Sequence, residues 1–532
     1  MENTVTIESL IIENAALKAE LSETNKKLAW LMEQLTSSRR KLFGVSSEKS
    51  VYDCNNEQLE YQMDDPPGLV VTHEEGWKPE SRTEAPPRAK PRKSGEMSTR
   101  LPPDMPVELV ECILPGDELD QYGDKMHAIG KELVRRELKI TPAKATIVEI
   151  WRTSYASRDD EASGEKVNII KAPLPPQVIK GAMCTAETVA YIMVLKCVMG
   201  VPLYRQWQDW KRKGIPLTRQ TMANWVIRCS EDYFEPIYNE LHRRFLLHKY
   251  AHSDDTTIQV LREPDRSAQS QSRMWLYRTG VEAKNPIVLY DYQQDKRQER
   301  PKEFLKGFCG HLTTDGSASY NGLPPNIILT GCFSHVRSKF DDALKCLKSD
   351  ERRGSLAMVG KKYCNEIFDI ERDIKEKTFD ERLAIRQEKS APVLDEFHAW
   401  LKKVEPYVAP KSKLGKSVGY ALNQWVKLLR YLDDGRIECS NNLAERSIKP
   451  FVINRKNFLF AASVAGARAT AVVHSLTETA KESGLDPFKY ITYILSTAAA
   501  GNIRKDAGLL EKLLPENAPE FCREMIPRND TS

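Results

Sequence analysis

Apolar residues recur through the first 45 positions in alternating steps of three and four. With Ile7 set at a heptad a position, the a series runs Ile7, Asn14, Leu21, Leu28, Leu35, Leu42. The d series runs Leu10, Leu17, Thr24, Leu31, Ser38. One such stripe predicts a coiled coil over 1–45 and, through it, a homo-oligomer. The pattern then lapses. Six acids and no Lys or Arg lie between Cys54 and Trp77; seven basic residues, three acids and Pro86, Pro87 and Pro91 lie between Lys78 and Arg100. Proline and mixed charge oppose a packed core, so 46–106 reads as a linker. Alternation returns in patches over 107–175, as in Ala145 to Trp151, and predicts a small β-rich module. Helical spacing follows over 176–248.

From Tyr250 the texture changes to short strands, at 251–261, 273–279, 286–292, 311–315 and 327–332, with helices at 301–308 and 335–345. Strands that give way to helix-connected strands predict a multidomain α/β protein whose mixed sheet is flanked by helices. Residues 249–345 would form the first part of this core and 431–475 the second. A charged helical stretch, 346–430, reads as an insertion between them, and 476–532 as a C-terminal helical region.

Composition narrows the function. The 532 residues carry a net charge of only +4, so a nucleic-acid surface must come from local clustering. One cluster runs from Val201 to Arg228, with six basic residues against one acid. Within it Lys211, Arg212 and Lys213 precede a segment that resembles the second half of a helix-turn-helix. Thr218 is placed to cap that helix, and Arg219, Gln220 and Asn224 are residue types that reach base edges or phosphates. A helical hairpin with a wetted basic face would look the same. The longest apolar stretch, Thr188 to Val201, is broken by Lys196, which argues against a membrane span. The N-terminal Glu2, Glu8 and Glu13 argue against a secretory leader. Eleven cysteines with no Cys-x-x-Cys pair predict a reducing, cytoplasmic setting and no zinc site.

Three acids stand out by context. Asp254 lies inside a strand, where a carboxylate is costly unless it meets a cation or water. Asp315 ends another strand and is followed by Gly316. Glu445 lies on a short helix expected to be capped near Ser440 or Asn441 and stopped by Pro450. Mg²⁺ takes oxygen ligands, and two ions about 4 Å apart can drive an in-line attack on phosphorus. Each acid also has a plain structural reading: a turn cap, a turn pair with Gly316, a helix pair with Lys449. Composition and spacing alone leave the choice open.

The surrounding motifs carry more. His252-Ser253-Asp254-Asp255-Thr256, Thr314-Asp315-Gly316-Ser317-Ala318-Ser319-Tyr320 and Cys332-Phe333-Ser334-His335-Val336-Arg337 occur in order. They are followed by Asn441-Asn442-Leu443-Ala444-Glu445-Arg446-Ser447-Ile448-Lys449-Pro450 and Arg455-Lys456-Asn457-Phe458-Leu459-Phe460. Together with Leu42-Phe43-Gly44 after the heptads, they resemble the insertion sequence 66 family of DDE transposases, over most of the chain. The resemblance implies an RNase H-like catalytic core in which Asp254, Asp315 and Glu445 bind two Mg²⁺ ions, with Mn²⁺ able to substitute. Asp255 stands where the family usually has Glu and would support the ligand set; spacing does not decide between Asp254 and Asp255. His335 and Arg337 would support substrate phosphates, although His335 equally fits a buried, hydrogen-bonded histidine. Arg446, Lys449, Arg455 and Lys456 would line the DNA path. The resemblance further implies as partners the inverted-repeat ends, target DNA and accessory proteins of the same element, all in the bacterial nucleoid. In one respect the chain departs from the family: the paired cysteines of its small zinc module are missing, so 107–175 is expected to be a degenerate, zinc-free version. The implied activity is Mg²⁺-dependent end cleavage and strand transfer. The rival readings are a non-catalytic DNA-binding protein and an RNase H-like nuclease or resolvase that cleaves without joining.

Overall fold

The computed structural model describes residues 174–523, two short strands upstream, and positions 24, 148 and 150. The expected linker 46–106 and, apart from position 24, the expected coiled coil 1–45 lie outside the described residues. The upstream strands, β1 (Ser154–Ala156) and β2 (Ile169–Lys171), pair antiparallel with Ser154 opposite Lys171. This pair falls in one structural unit and residues 176–523 in another. Val148 and Ile150, from the alternating stretch expected to be strand, are exposed and lie in no strand.

Alternation in the second unit builds a mixed sheet from β3 (Tyr250–Val260), β4 (Gln271–Thr279), β5 (Val288–Gln293), β6 (Gly310–Thr313) and β7 (Ile327–Thr330). Their order is β5-β4-β3-β6-β7, and a short β8 (Phe460–Ala461) pairs with the far end of β3. The first three strands form an antiparallel meander; β6 and β7 run parallel to β3. Successive side chains of a strand point to opposite faces. On β4 that sends Trp275 and Tyr277 into one core and Met274 and Leu276 into another, all fully buried. A sheet covered on both faces explains why β4 reads as a continuous apolar run.

Helices supply both covers. On one side lie α1 (Ala186–Cys197), α2 (Leu203–Arg212), α3 (Arg219–Cys229) and α4 (Glu235–Phe245), the last two joined by a π turn over Ser230–Phe234. Crossing from β5 to β6 is α5 (Glu299–Phe304), and after β7 comes α6 (Phe333–Lys345). The expected insertion is helical: α7 (Ser349–Arg352), α8 (Leu356–Asp373), α9 (Phe379–Ile385), α10 (Ala391–Val404) and α11 (Lys413–Leu429). The chain then returns as α12 (Asn442–Phe458), α13 (Val464–Glu482), α14 (Pro487–Ala499) and α15 (Ala507–Lys512). Residues of 176–248 and of 476–532 share one core with the sheet: Met193, Phe245, Trp275, Leu476 and Tyr490 are buried in the same cluster.

The insertion has its own core against α6. Phe333, Val336 and Phe340 fall on one helical face and pack with Ile367, Phe397, Val418 and Trp425. Arg386, fully buried, grips Glu371 with Nε (2.8 Å) and Nη2 (2.6 Å). Its Nη1 donates to the carbonyls of Tyr431 (3.0 Å), Asp434 (3.1 Å) and Ile437 (2.9 Å). The insertion is thereby tied to the segment that leads into α12.

That helix departs from expectation. Pro450 does not stop it; α12 continues for eight more residues to Phe458. Proline removes the hydrogen bond to the carbonyl four residues back. Here that carbonyl belongs to Arg446, an exposed residue. Beyond the proline, Phe451, Val452 and Asn454 are buried, and this packing outweighs the local break.

Candidate active site

The first acid sits in the central strand. Asp254 is partly buried on β3, and its Oδ1 accepts the Asp255 N–H at 2.8 Å. Asp315 lies two residues beyond the end of neighbouring β6, where its Oδ1 accepts the Ser317 N–H at 2.8 Å. Glu445 enters from the first turn of α12. The structure brings the three into one electrostatic site. Burial and the charge of Asp315 push the Asp254 carboxyl up to about 8, with Asp255 and Glu445 adding to the effect. Burial also raises the Glu445 carboxyl, as does Asp315, while His335 opposes the rise. Three carboxyl groups from separate segments thus act on one another within one site.

Asp255 turns away, as strand alternation requires. It is buried and ion-paired with Lys296 (2.8 Å) and Arg273 (3.2 Å). Two cations thus balance its charge.

The frame around the acids rests on residues to which the sequence analysis gave no part in holding the site. Asn441 is the N-cap of α12, but its side chain does not cap the helix as expected. Fully buried, it donates Nδ2–H to the Ser253 carbonyl at 3.0 Å, and its Oδ1 meets His252 Nδ1 at 3.2 Å. Its backbone N–H donates to Cys332 Sγ at 3.1 Å. One residue thus joins the strand of Asp254, the start of α6 and the helix of Glu445. Burial, with help from Arg278, depresses His252 to about 3, so it stays a neutral hydrogen-bonding group. On the other flank the Tyr420 hydroxyl donates to the Asp315 carbonyl at 2.7 Å. Gly316, at φ +82°, lies so close that a Cβ there would stand 3.0 Å from Gln424 Oε1 and 3.1 Å from the Tyr420 hydroxyl. Only glycine meets both demands. The missed signal was that Asn441, Tyr420 and Gly316 act through partners distant in sequence.

His335, on the first turn of α6, faces Glu445, with Nδ1 3.6 Å from Oε1. It is neither fully buried nor hydrogen-bonded through that nitrogen. Burial disfavours its charge, but Cys332, Glu445 and Asp315 outweigh this and raise it to about 10. Arg337 donates to Asn365 Oδ1 of the insertion at 2.6 Å. Arg446 and Lys456 are exposed and Lys449 is partly so. Arg455 is committed to β3, where Nη1 donates to the Thr256 hydroxyl at 3.2 Å and to the Thr257 carbonyl and hydroxyl.

The basic helices form as the sequence implies. Thr218 caps α3, its hydroxyl accepting the Thr221 N–H at 3.1 Å. Arg219, Gln220 and Asn224 are exposed on α3, with Gln220 Nε2 donating to Asn224 Oδ1 at 2.8 Å. Lys211, Arg212 and Lys213 are exposed at the end of α2. Lys211 lies over the Trp207 ring, while Lys213 (2.7 Å) and Arg212 (3.6 Å) pair with Asp209. Trp225, on the same helix, is buried in the core. Among the described residues no helix is long and apolar enough to cross a membrane.

Residues 30–110 match a family described as "Transposase C of IS166 homeodomain", a span covering the end of the expected coiled coil and the whole expected linker. Two uncharacterized proteins of Sinorhizobium fredii are similar over much of their length. Y4qI is 30% identical over 526 residues, 95% of this chain and 92% of its own. Y4jD is 31% identical over 404 residues, 74% and 76%. Residues 181–469, more than half the chain and including all three acids, match the family described as "Transposase IS66 family", and the chain therefore belongs to the IS66 transposase family.

Proposed function

We propose that this protein is a DDE-type transposase that cuts at the ends of its insertion sequence and joins the freed 3′-hydroxyls to target DNA. The sheet order, an antiparallel meander followed by two strands parallel to its first, supports an RNase H-like reading of the core. The observation that carries the proposal is the convergence of Asp254, Asp315 and Glu445 from three separate segments, close enough that Asp315 acts electrostatically on both others. All three offer carboxylate oxygens, the donor set of Mg²⁺ or Mn²⁺. When bound, such ions activate the attacking oxygen and stabilise the leaving one.

The chain's own residues then have distinct tasks. Asp254, on the rigid centre of the sheet, and Asp315, held through its carbonyl by Tyr420, would fix two sides of the cation site. Glu445 would close the third side from α12. Arg446, Lys449 and Lys456 on the same helix would draw the DNA backbone towards these acids, with salt-sensitive affinity. Exposed Arg219, Gln220 and Asn224 on α3, beside Lys211, Arg212 and Lys213, would engage the inverted-repeat ends. Assembly through 1–45, and accessory proteins of the same element, complete the reading.

The test uses purified full-length protein, Mg²⁺ and DNA carrying the element's ends. Wild-type protein should give both cleaved ends and joined products, and Asp315→Asn neither. Full strand transfer by Asp315→Asn overturns the assignment; cleavage without joining by the wild type would make the protein a nuclease.

A further inference from the structure

Beside the three acids lies a second, chemically different donor set. Cys332, His335 and Glu445 each offer one ligand atom, and these atoms all lie within 4.8 Å of one another. Cys332 is the N-cap of α6 and His335 follows it by three residues, so both face the same way. Glu445 meets them from α12.

Two donor atoms have no hydrogen-bond partner, although the His335 side chain also bonds to Cys332. His335 Nδ1 and Glu445 Oε1 are buried atoms without a hydrogen-bond partner, although they lie 3.6 Å apart. That gap is too long for a hydrogen bond. It is close to the edge, roughly 3.4 Å, of a tetrahedron whose centre lies about 2.0–2.1 Å from an imidazole nitrogen and a carboxylate oxygen. The third donor is held in place: Cys332 Sγ accepts the Asn441 N–H at 3.1 Å.

We propose that Cys332, His335 and Glu445 form a binding site for a soft divalent ion of the zinc class. Sulfur, nitrogen and oxygen in a three-ligand set suit zinc and leave a fourth position open. Mg²⁺, which prefers oxygen and octahedral geometry, does not fit it. The sequence argued against zinc for want of any Cys-x-x-Cys pair; this site draws on Cys332-x-x-His335 and a distant glutamate instead. On binding, the thiol proton and any proton on His335 pass to solvent. The site stands on its own geometry. Its consequence rests on the transposase reading: an ion held here withdraws Glu445 from Asp254 and Asp315, so zinc inhibits the Mg²⁺-dependent reaction.

Cobalt is the probe, added to full-length protein without DNA. Wild-type protein should show a sulfur-to-cobalt charge-transfer band and tetrahedral visible bands. Cys332→Ser should lose the charge-transfer intensity of one ion per chain. His335→Gln, which keeps the thiol should the cysteine variant misfold, should weaken cobalt binding at least about tenfold. Equal charge-transfer intensity in wild type and Cys332→Ser, or unchanged affinity in His335→Gln, overturns the site. Strand transfer is then measured with and without zinc at constant excess Mg²⁺. Zinc should suppress the wild type and leave the Cys332→Ser rate unchanged relative to its own zinc-free control. Cobalt bands without zinc inhibition uphold the site and overturn the role given to Glu445.

Discussion

Replacing Asp254 with asparagine should stabilise the metal-free protein while abolishing its chemistry. The ordinary carboxyl value is 3.8, and burial with Asp315 lifts that of folded Asp254 to about 8. Between these limits the folded site holds a proton that the unfolded chain has released. Stability therefore falls as pH rises from 3.8 towards 8 and levels off above it. At pH 7 the loss spans roughly three pH units, or about 4 kcal/mol as an upper bound. Asparagine keeps the shape and removes the titration, so a gain of roughly 2–4 kcal/mol is expected, several degrees in melting temperature. The assay is thermal melting of both proteins in EDTA at pH 5, 7 and 8.5. The advantage of Asp254→Asn should grow from the lowest pH to the highest. Mg²⁺ should raise the melting temperature of the wild type alone. Equal stability of the two proteins at every pH would refute the reasoning, because Asp254 would then carry no unbalanced charge.

Other consequences are specific. Gly316→Ala imposes a left-handed backbone on a residue whose Cβ presses on Tyr420 and Gln424; it should cost about 1–3 kcal/mol in urea unfolding and more than tenfold in strand transfer. Arg386→Leu leaves Glu371 and three carbonyls without their buried partner and should cost about 3–5 kcal/mol in the same assay. Arg219→Ala and Asn224→Ala should each weaken binding to end-containing DNA by about 1–3 kcal/mol while sparing binding to unrelated DNA, measured by competition. Lys211→Ala should weaken both equally and lower the salt slope by about one.

The sheet could be read from local pattern because strand alternation is local. Expected strands at 251–261 and 273–279 correspond to Tyr250–Val260 and Gln271–Thr279. The acids could be read because their motifs are contiguous. Other features depend on contacts that no window of sequence contains. Asn441 looks like a helix cap, but its amide is spent on Ser253, 188 residues away. Arg455 looks like a free cation, but it donates to Thr257, 198 residues away. Pro450 looks like a stop, and only the burial of Phe451 and Val452 keeps the helix going. Spacing could not show that the two faces of β3 separate Asp254 from Asp255, which pairs with Lys296 and Arg273.

The central claim is that Asp254, Asp315 and Glu445 together hold the ions that act on DNA. A crystal of the protein soaked in Mn²⁺ and measured at the manganese edge tests it most directly. Anomalous peaks should lie among these three carboxylates and vanish from a crystal of Asp315→Asn. Peaks elsewhere, or none in the wild type, would contradict it.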